Sequence, residues 1–114
     1  MRGQDFGHLA HQLADVTQTD SARYVTFRVG GHPFGFYWPA TKTVGLKQLL
    51  AEQLALVAER PDVFEVQFTA GRFGWVVVQL RKIGRRELAE LTYEAWRLTA
   101  PADLVEARAD RLPR

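Results

Sequence analysis

The clearest structural signal in the chain is the stretch YVTFRVGGHPFGFYW, residues 24–38. Gly30-Gly31 supplies the two positive-φ positions that a tight type I′ turn requires, between two runs rich in β-branched and aromatic residues. Regular alternation from a closing Val29–His32 pair predicts a β-hairpin with five apolar side chains on one face, namely Val25, Phe27, Val29, Phe34 and Phe36. Because Pro33 has no backbone N–H to donate, we expect its strand at an edge of the sheet.

Hydrophobic periodicity assigns the other elements. It predicts helices at about 6–15, 47–60, 85–98 and 101–108, a polar connector at 17–21, a possible short strand at 44–47, and a second hairpin with strands at 63–69 and 73–83. The register of that hairpin is open, because Phe64 and Val66 pair either with Trp75 and Val77 or with Val76 and Val78. The order α-β-β-(β)-α-β-β-α-α predicts an α+β fold, an antiparallel sheet of two hairpins packed on helices.

Length and composition predict one domain over residues 1–114, with a core at about 6–108 and a C-terminal tail at 109–114. The chain has no cysteine, which excludes a disulfide framework and a zinc ribbon. It has no apolar run long enough to cross a bilayer, so we expect a cytoplasmic protein without a membrane partner.

Charge is concentrated in one segment, although the net charge is only +2. Residues 70–86 carry five cations and no acid: Arg72, Arg81, Lys82, Arg85 and Arg86. Arginine is suited to forked contacts with phosphate. We therefore expect these side chains, supported by Arg28, to bind DNA weakly and without sequence specificity through hairpin tips and a basic helix start. The alternative for the helix start is ion pairing, for example between Arg86 and Glu90.

The sheet face opposite the helices is the second candidate surface. We expect it to carry aromatic and polar side chains from several strands: Tyr24, Arg28, Tyr37, Gln67, Gln79 and Arg81. Such a face can stack on bases, or it can serve a homodimer or another protein partner through Tyr24, Tyr37 and Trp75. The three tryptophans, Trp38, Trp75 and Trp96, are expected mainly in the core because their neighbours are apolar.

Catalytic chemistry has little support in the sequence. Ser21 is the only serine, and it lies in the connector rather than in a strained nucleophile turn. His8 and His11 are spaced for one helical face but have no third metal ligand fixed nearby, and His32 follows a turn. We therefore expect a non-enzymatic protein with no catalytic residue, metal or cofactor.

Three motifs resemble the MmcQ/YjbR family of small bacterial proteins: TFRVGGHPF (26–34), ERPDVF (59–64) and ELAELTYEAWRLTAP (87–101). The resemblance implies an α+β domain likened to secretion chaperones and described as a double-wing DNA binder, with no established catalytic residues or cofactor. The chain departs from the family pattern at Leu13-Ala-Asp15, where Leu-Pro-Gly is usual, and at Arg23-Tyr-Val25, where Gly-x-Pro is common. These departures leave the conformation of the 15–25 connector open.

Overall fold

A computed structural model describes residues 1–107, 112 and 113; the rest of the predicted tail lies outside the described residues. In chain order the elements are α1 (Gly3–His11), β1 (Thr17–Asp20), β2 (Val25–Val29), β3 (His32–Trp38), β4 (Thr43–Leu49), α2 (Leu50–Glu59), β5 (Phe64–Ala70), β6 (Phe73–Gln79), α3 (Arg85–Arg97) and α4 (Ala102–Ala107). A 3₁₀ turn, Leu80–Lys82, follows β6. The predicted α+β fold is confirmed: six antiparallel strands in the order β1-β2-β3-β4-β6-β5 pack on helices.

Two strands lie where the sequence did not predict them. Residues Thr17–Asp20, expected as a connector, form β1 and pair with β2. All four residues of β1 are polar and exposed, so no alternation of hydrophobicity marked them as a strand. The edge position predicted for the Pro33 strand is wrong, since β3 lies between β2 and β4. The possible strand near Val44 is confirmed as β4, a seven-residue central strand.

A β-bulge interrupts the first hairpin. Gly30 and Gly31 have φ angles of +60° and +79°, and Val29 pairs with His32, as the turn pattern predicted. After the Arg28–Pro33 pair, however, Phe27 lies opposite Gly35, which leaves Phe34 as an extra residue. The shift follows directly after Pro33, which has no N–H for the ladder. The predicted apolar face is therefore wrong for Phe36, which the bulge turns to the other side of the sheet.

A second β-bulge settles the register of the β5–β6 hairpin. A two-residue loop, Gly71-Arg72, joins Ala70 to its partner Phe73, and Phe68 lies opposite Trp75. Gln67 is the extra residue, and beyond it Val66 and Phe64 lie opposite Val76 and Val78. Neither of the two registers predicted from the sequence is fully correct, because both assumed that side chains alternate between the faces without interruption along β5.

The core lies between the sheet and helices α1–α3. Val44, Leu46, Val76 and Val78 of the two central strands are fully buried in one cluster with helical side chains that include Phe6, Leu9, Leu88 and Trp96. Each such side chain contributes roughly 1.5–3 kcal/mol through burial. The Trp96 indole Nε1 also donates to the Ala14 carbonyl at 3.0 Å, which ties α3 to the end of α1.

A buried glutamine fixes α2 to the β5–β6 hairpin. Gln53 is 1% exposed, and its Nε2 donates to the carbonyls of Phe68, at 3.0 Å, and Trp75, at 2.9 Å. Gly74 makes this approach possible, because a Cβ there would lie 2.7 Å from the Gln53 Cβ. The Phe68 carbonyl follows the bulge, so Gln53 holds the irregular part of β5 in place.

Replacing Gln53 with methionine tests this role. Gln53→Met keeps the approximate volume but removes the side-chain hydrogen bonds to the carbonyls of Phe68 and Trp75, so we expect the free energy of unfolding to fall by about 2–4 kcal/mol. The measurement is urea unfolding followed by circular dichroism. Ala55→Met, at an exposed position of the same helix, is the matched control and should change the free energy by less than about 0.5 kcal/mol. Equal losses in the two variants would contradict this role.

Candidate functional site

The sheet face turned away from α1–α3, here called the open face, carries a connected row of aromatic rings. This aromatic stripe consists of Tyr24, Phe36, Trp38, Trp75 and Phe68, and the centroids of contacting rings are 5.3–6.2 Å apart. Phe36 contacts three of the other rings, and Phe68 stacks on Trp75 with 19° between the ring planes. The stripe crosses from the β2 side of the sheet to β5.

The two bulges create this stripe. Side chains alternate between faces along a regular strand, so a buried Phe34 would place Phe36 and Trp38 in the core as well. The extra residue in β3 reverses the alternation after Phe34 and turns both rings to the open face. In β5 the extra residue places Gln67 and Phe68 on the same face, Gln67 against Gly45 and Phe68 against Trp75.

The absence of a side chain at Gly45 leaves room for Trp38 of the stripe and for Gln67. It lies in β4, where a Cβ would come within 2.9 Å of Trp38 Cη2 and would overlap Gln67 Oε1. A groove with a volume of about 770 Å³ adjoins this point, and its walls include Arg23, Trp38, Pro39, Val66, Gln67 and Val77. Gln67 Oε1 is buried and is the one such side-chain atom of the described residues without a hydrogen-bond partner.

Cations flank the stripe. At one end Lys47 Nζ lies 4.1 Å from the Phe73 ring centroid, and Arg72 Cζ lies 5.0 Å from the same centroid. Burial, and secondarily the charge of Arg72, lowers the pKa of Lys47. Arg28 Nη1 donates to Thr19 Oγ1 at 3.1 Å, and Arg23 lines the groove.

These four cations have no carboxylate within ion-pair distance in the described part of the chain. The open face is not free of acid, since exposed Glu65 pairs with Val77 and therefore shares its side of the sheet. Positive charge nevertheless predominates beside the stripe.

The structure does not bring the predicted phosphate-binding residues together. Arg72 lies at the β5–β6 turn, whereas Arg81 and Lys82 are exposed beyond the other end of β6, a strand of about 20 Å. Arg85 and Arg86 begin α3 in the helical layer. Arg85 Nη1 lies 3.7 Å from Asp5 Oδ1, and Arg86 Nε lies 3.3 Å from Glu90 Oε1. The ion-pair alternative for the Arg86 side chain is thus confirmed.

Of the three residues predicted for a partner face, two lie on the open face and one does not. Tyr24 and Trp75 lie on the open face, 41% and 5% exposed. Tyr37 pairs with Val25 and lies against Gly3 of α1, on the core side of the sheet. Of the three tryptophans expected mainly in the core, Trp96 is fully buried in the core cluster and Trp75 is buried beneath the aromatic stripe, whereas Trp38 is only partly buried on the open face. Lys47 and Arg23 were missed because neither belongs to the basic segment 70–86.

The three histidines are exposed, with His8 and His11 on α1 and His32 at the start of β3. His11 Nε2 lies 2.8 Å from Gln18 Oε1, which connects α1 to β1. Residues 1–107, 112 and 113 contain no group of three or more His, Asp or Glu side chains placed to hold a metal ion. No helix among them combines the length and hydropathy needed to cross a bilayer.

Comparison with known proteins supports the fold. A family model described as YjbR matches residues 11–98. A Deinococcus radiodurans protein with a DUF419 domain has 17% identity and a TM-score of 0.78, over 96% of this chain and 86% of that one. A Pseudomonas syringae protein has 19% identity and a TM-score of 0.64, over 87% of this chain and 99% of that one. No curated protein matches the chain significantly.

Substitution of Gly45 tests how the stripe is built. In Gly45→Ala the added methyl group displaces Trp38 and Gln67, so we expect a changed near-UV circular dichroism spectrum and a loss of about 1–3 kcal/mol in the free energy of unfolding. Gly7→Ala is the control, because a Cβ there meets nothing closer than 3.9 Å. An unchanged near-UV spectrum for Gly45→Ala would show that Trp38 does not depend on this glycine.

Proposed function

The chain belongs to the YjbR family, and from the geometry of its open face we propose that it binds nucleic acid, single-stranded DNA in particular, and acts by binding rather than by catalysis. One observation carries the proposal: the aromatic stripe is flanked by Arg23, Arg28, Lys47 and Arg72, none of which is ion-paired within the described residues.

Aromatic rings on an open sheet provide a stacking surface for unpaired bases. Tyr24 and Phe68, at opposite ends of the stripe, are 41% and 43% exposed, whereas Trp75 between them is almost completely covered. The buried ring supports its neighbours, and the exposed end rings are available to a ligand. Stacking of one base on such a ring contributes about 1–3 kcal/mol and depends little on the base.

The flanking cations supply attraction for phosphates. Lys47 and Arg72 converge on Phe73, so two positive charges lie together at one end of the stripe. Contacts of this kind carry no sequence information. Their contribution to affinity falls as the salt concentration rises, because binding releases counterions from the nucleic acid and this release is less favourable in concentrated salt. We therefore expect weak, salt-sensitive binding without base specificity.

The geometry favours single strands over duplex. In a duplex the bases are stacked on one another and present only their edges, so the rings of the stripe have no base face to contact. A single strand can turn its bases towards the sheet while its phosphates reach the flanking cations. Duplex binding through phosphate contacts alone should be weaker.

A protein partner is the second candidate, and the groove beside Trp38 favours it. Much of the groove wall is apolar, as contributed by Ala22, Pro39, Val66 and Val77, which suits an inserted side chain of a partner. Binding of that kind would depend on Trp38 and change little with salt. The salt dependence of binding therefore separates the two candidates.

Removal of two cations tests the phosphate contacts. The double variant Lys47→Gln, Arg72→Gln should reduce the slope of log K against log salt by about 1.4, since each lost contact to a single strand contributes about 0.7. The measurement is fluorescence anisotropy of a labelled mixed-sequence oligonucleotide. Arg86→Gln is the matched control, because Arg86 lies in the helical layer with Glu90, and its slope should equal that of the wild type. A larger effect of Arg86→Gln, or no wild-type binding at low salt, would refute the proposal.

Removal of an exposed ring tests the stacking. Tyr24→Ala should weaken binding of the single strand by about 5–150-fold, the equivalent of 1–3 kcal/mol, and should leave duplex binding nearly unchanged. Equal losses for the two ligands would indicate that Tyr24 does not stack on bases.

A further inference from the structure

The two edges of the sheet differ in a way that points to self-association. We propose that β5 pairs with β5 of a second copy of this chain, so that two six-stranded sheets become one continuous sheet in a symmetric dimer.

Edge strands expose unpaired backbone N–H and C=O groups, and proteins protect them by shortness, charge, proline or irregularity. The β1 edge is protected: it is four residues long, entirely polar and exposed, and ends at Asp20. The β5 edge is seven residues long and contains no lysine, arginine or proline. Its protection is limited to Glu65 and to the bulge at Gln67.

Exposed apolar side chains gather at the β5 edge. Val66 and Phe68 of β5 are 51% and 43% exposed, and they are two of the five large exposed hydrophobic side chains of the described residues. A third, Leu54, is 58% exposed and follows Gln53, whose amide binds the Phe68 carbonyl. Three of these five side chains therefore belong to β5 or to α2, the helix that packs on it.

A two-fold axis makes the pairing self-complementary. Two copies of β5 related by such an axis run antiparallel, and an axis near Gln67 places residues 64–66 of each copy beside residues 68–70 of the other. Val66 on the helix side of the sheet and Phe68 on the open face are then both brought to the interface. No like charges then face each other. Because the bulge interrupts the ladder at Gln67, regular pairing is confined to the residues on either side, and we expect a dissociation constant in the micromolar range.

Sedimentation velocity from low micromolar to millimolar protein tests the dimer. The wild type should change from monomer to dimer over this range. Val66→Lys should raise the dissociation constant by about 100-fold, because the side chain enters the interface twice and each copy accounts for about tenfold. Thr19→Lys places the same charge on the β1 edge and should leave the dissociation constant unchanged.

Hydrogen exchange provides a second measurement that does not depend on a variant folding. In the wild type, backbone amides of β5 should exchange more slowly as protein concentration rises, while those of β1 should not. A monomer at every concentration, equal effects of Val66→Lys and Thr19→Lys, or concentration-independent exchange in β5 would overturn the proposal.

Discussion

Two β-bulges determine which aromatic side chains lie in the core and which face solvent. Each extra residue reverses the alternation of a strand, so β3 buries Phe34 but turns Phe36 and Trp38 to the open face, and β5 adds Phe68 to the same face. The rest of the open face depends on these two irregularities. Gly45 gives the displaced side chains room, and the Gln53 amide binds the carbonyl of Phe68 beside one bulge. The aromatic stripe is thus a product of backbone geometry as much as of composition.

Charge is distributed unequally between the two sides of the molecule. In the helical layer the cations are matched to carboxylates, as in Arg60–Glu87, Arg85–Asp5, Arg86–Glu90 and Arg97–Glu94. Beside the stripe, Arg28, Lys47 and Arg72 contact a hydroxyl or an aromatic ring instead. A net charge of only +2 therefore hides a local excess of positive charge on the open face. An aromatic surface with unneutralised cations at its margin is what single-stranded nucleic acid requires.

The sequence predicted the fold class, both hairpins and the Gly30-Gly31 turn, because these follow from periodicity and from the need for positive φ. It did not predict the bulges, since an alternation rule has no place for an extra residue. It missed β1 because a polar edge strand has no apolar face. The basic segment 70–86 was misleading as a single patch, because β6 separates its members in space and α3 carries two of them to the helical layer. Lys47, by contrast, reaches the stripe through strand pairing with Trp75, which no sequence motif indicates.

Chemical-shift mapping by NMR during titration with a short single-stranded oligonucleotide is the most direct test of the open face as the binding surface. We predict that the largest perturbations occur at Tyr24, Phe68 and Trp75 and at the backbone of Lys47 and Arg72, and that the first turn of α3 is unaffected. Perturbations confined to Arg81–Arg86, with the aromatic resonances of the open face unchanged, would contradict it.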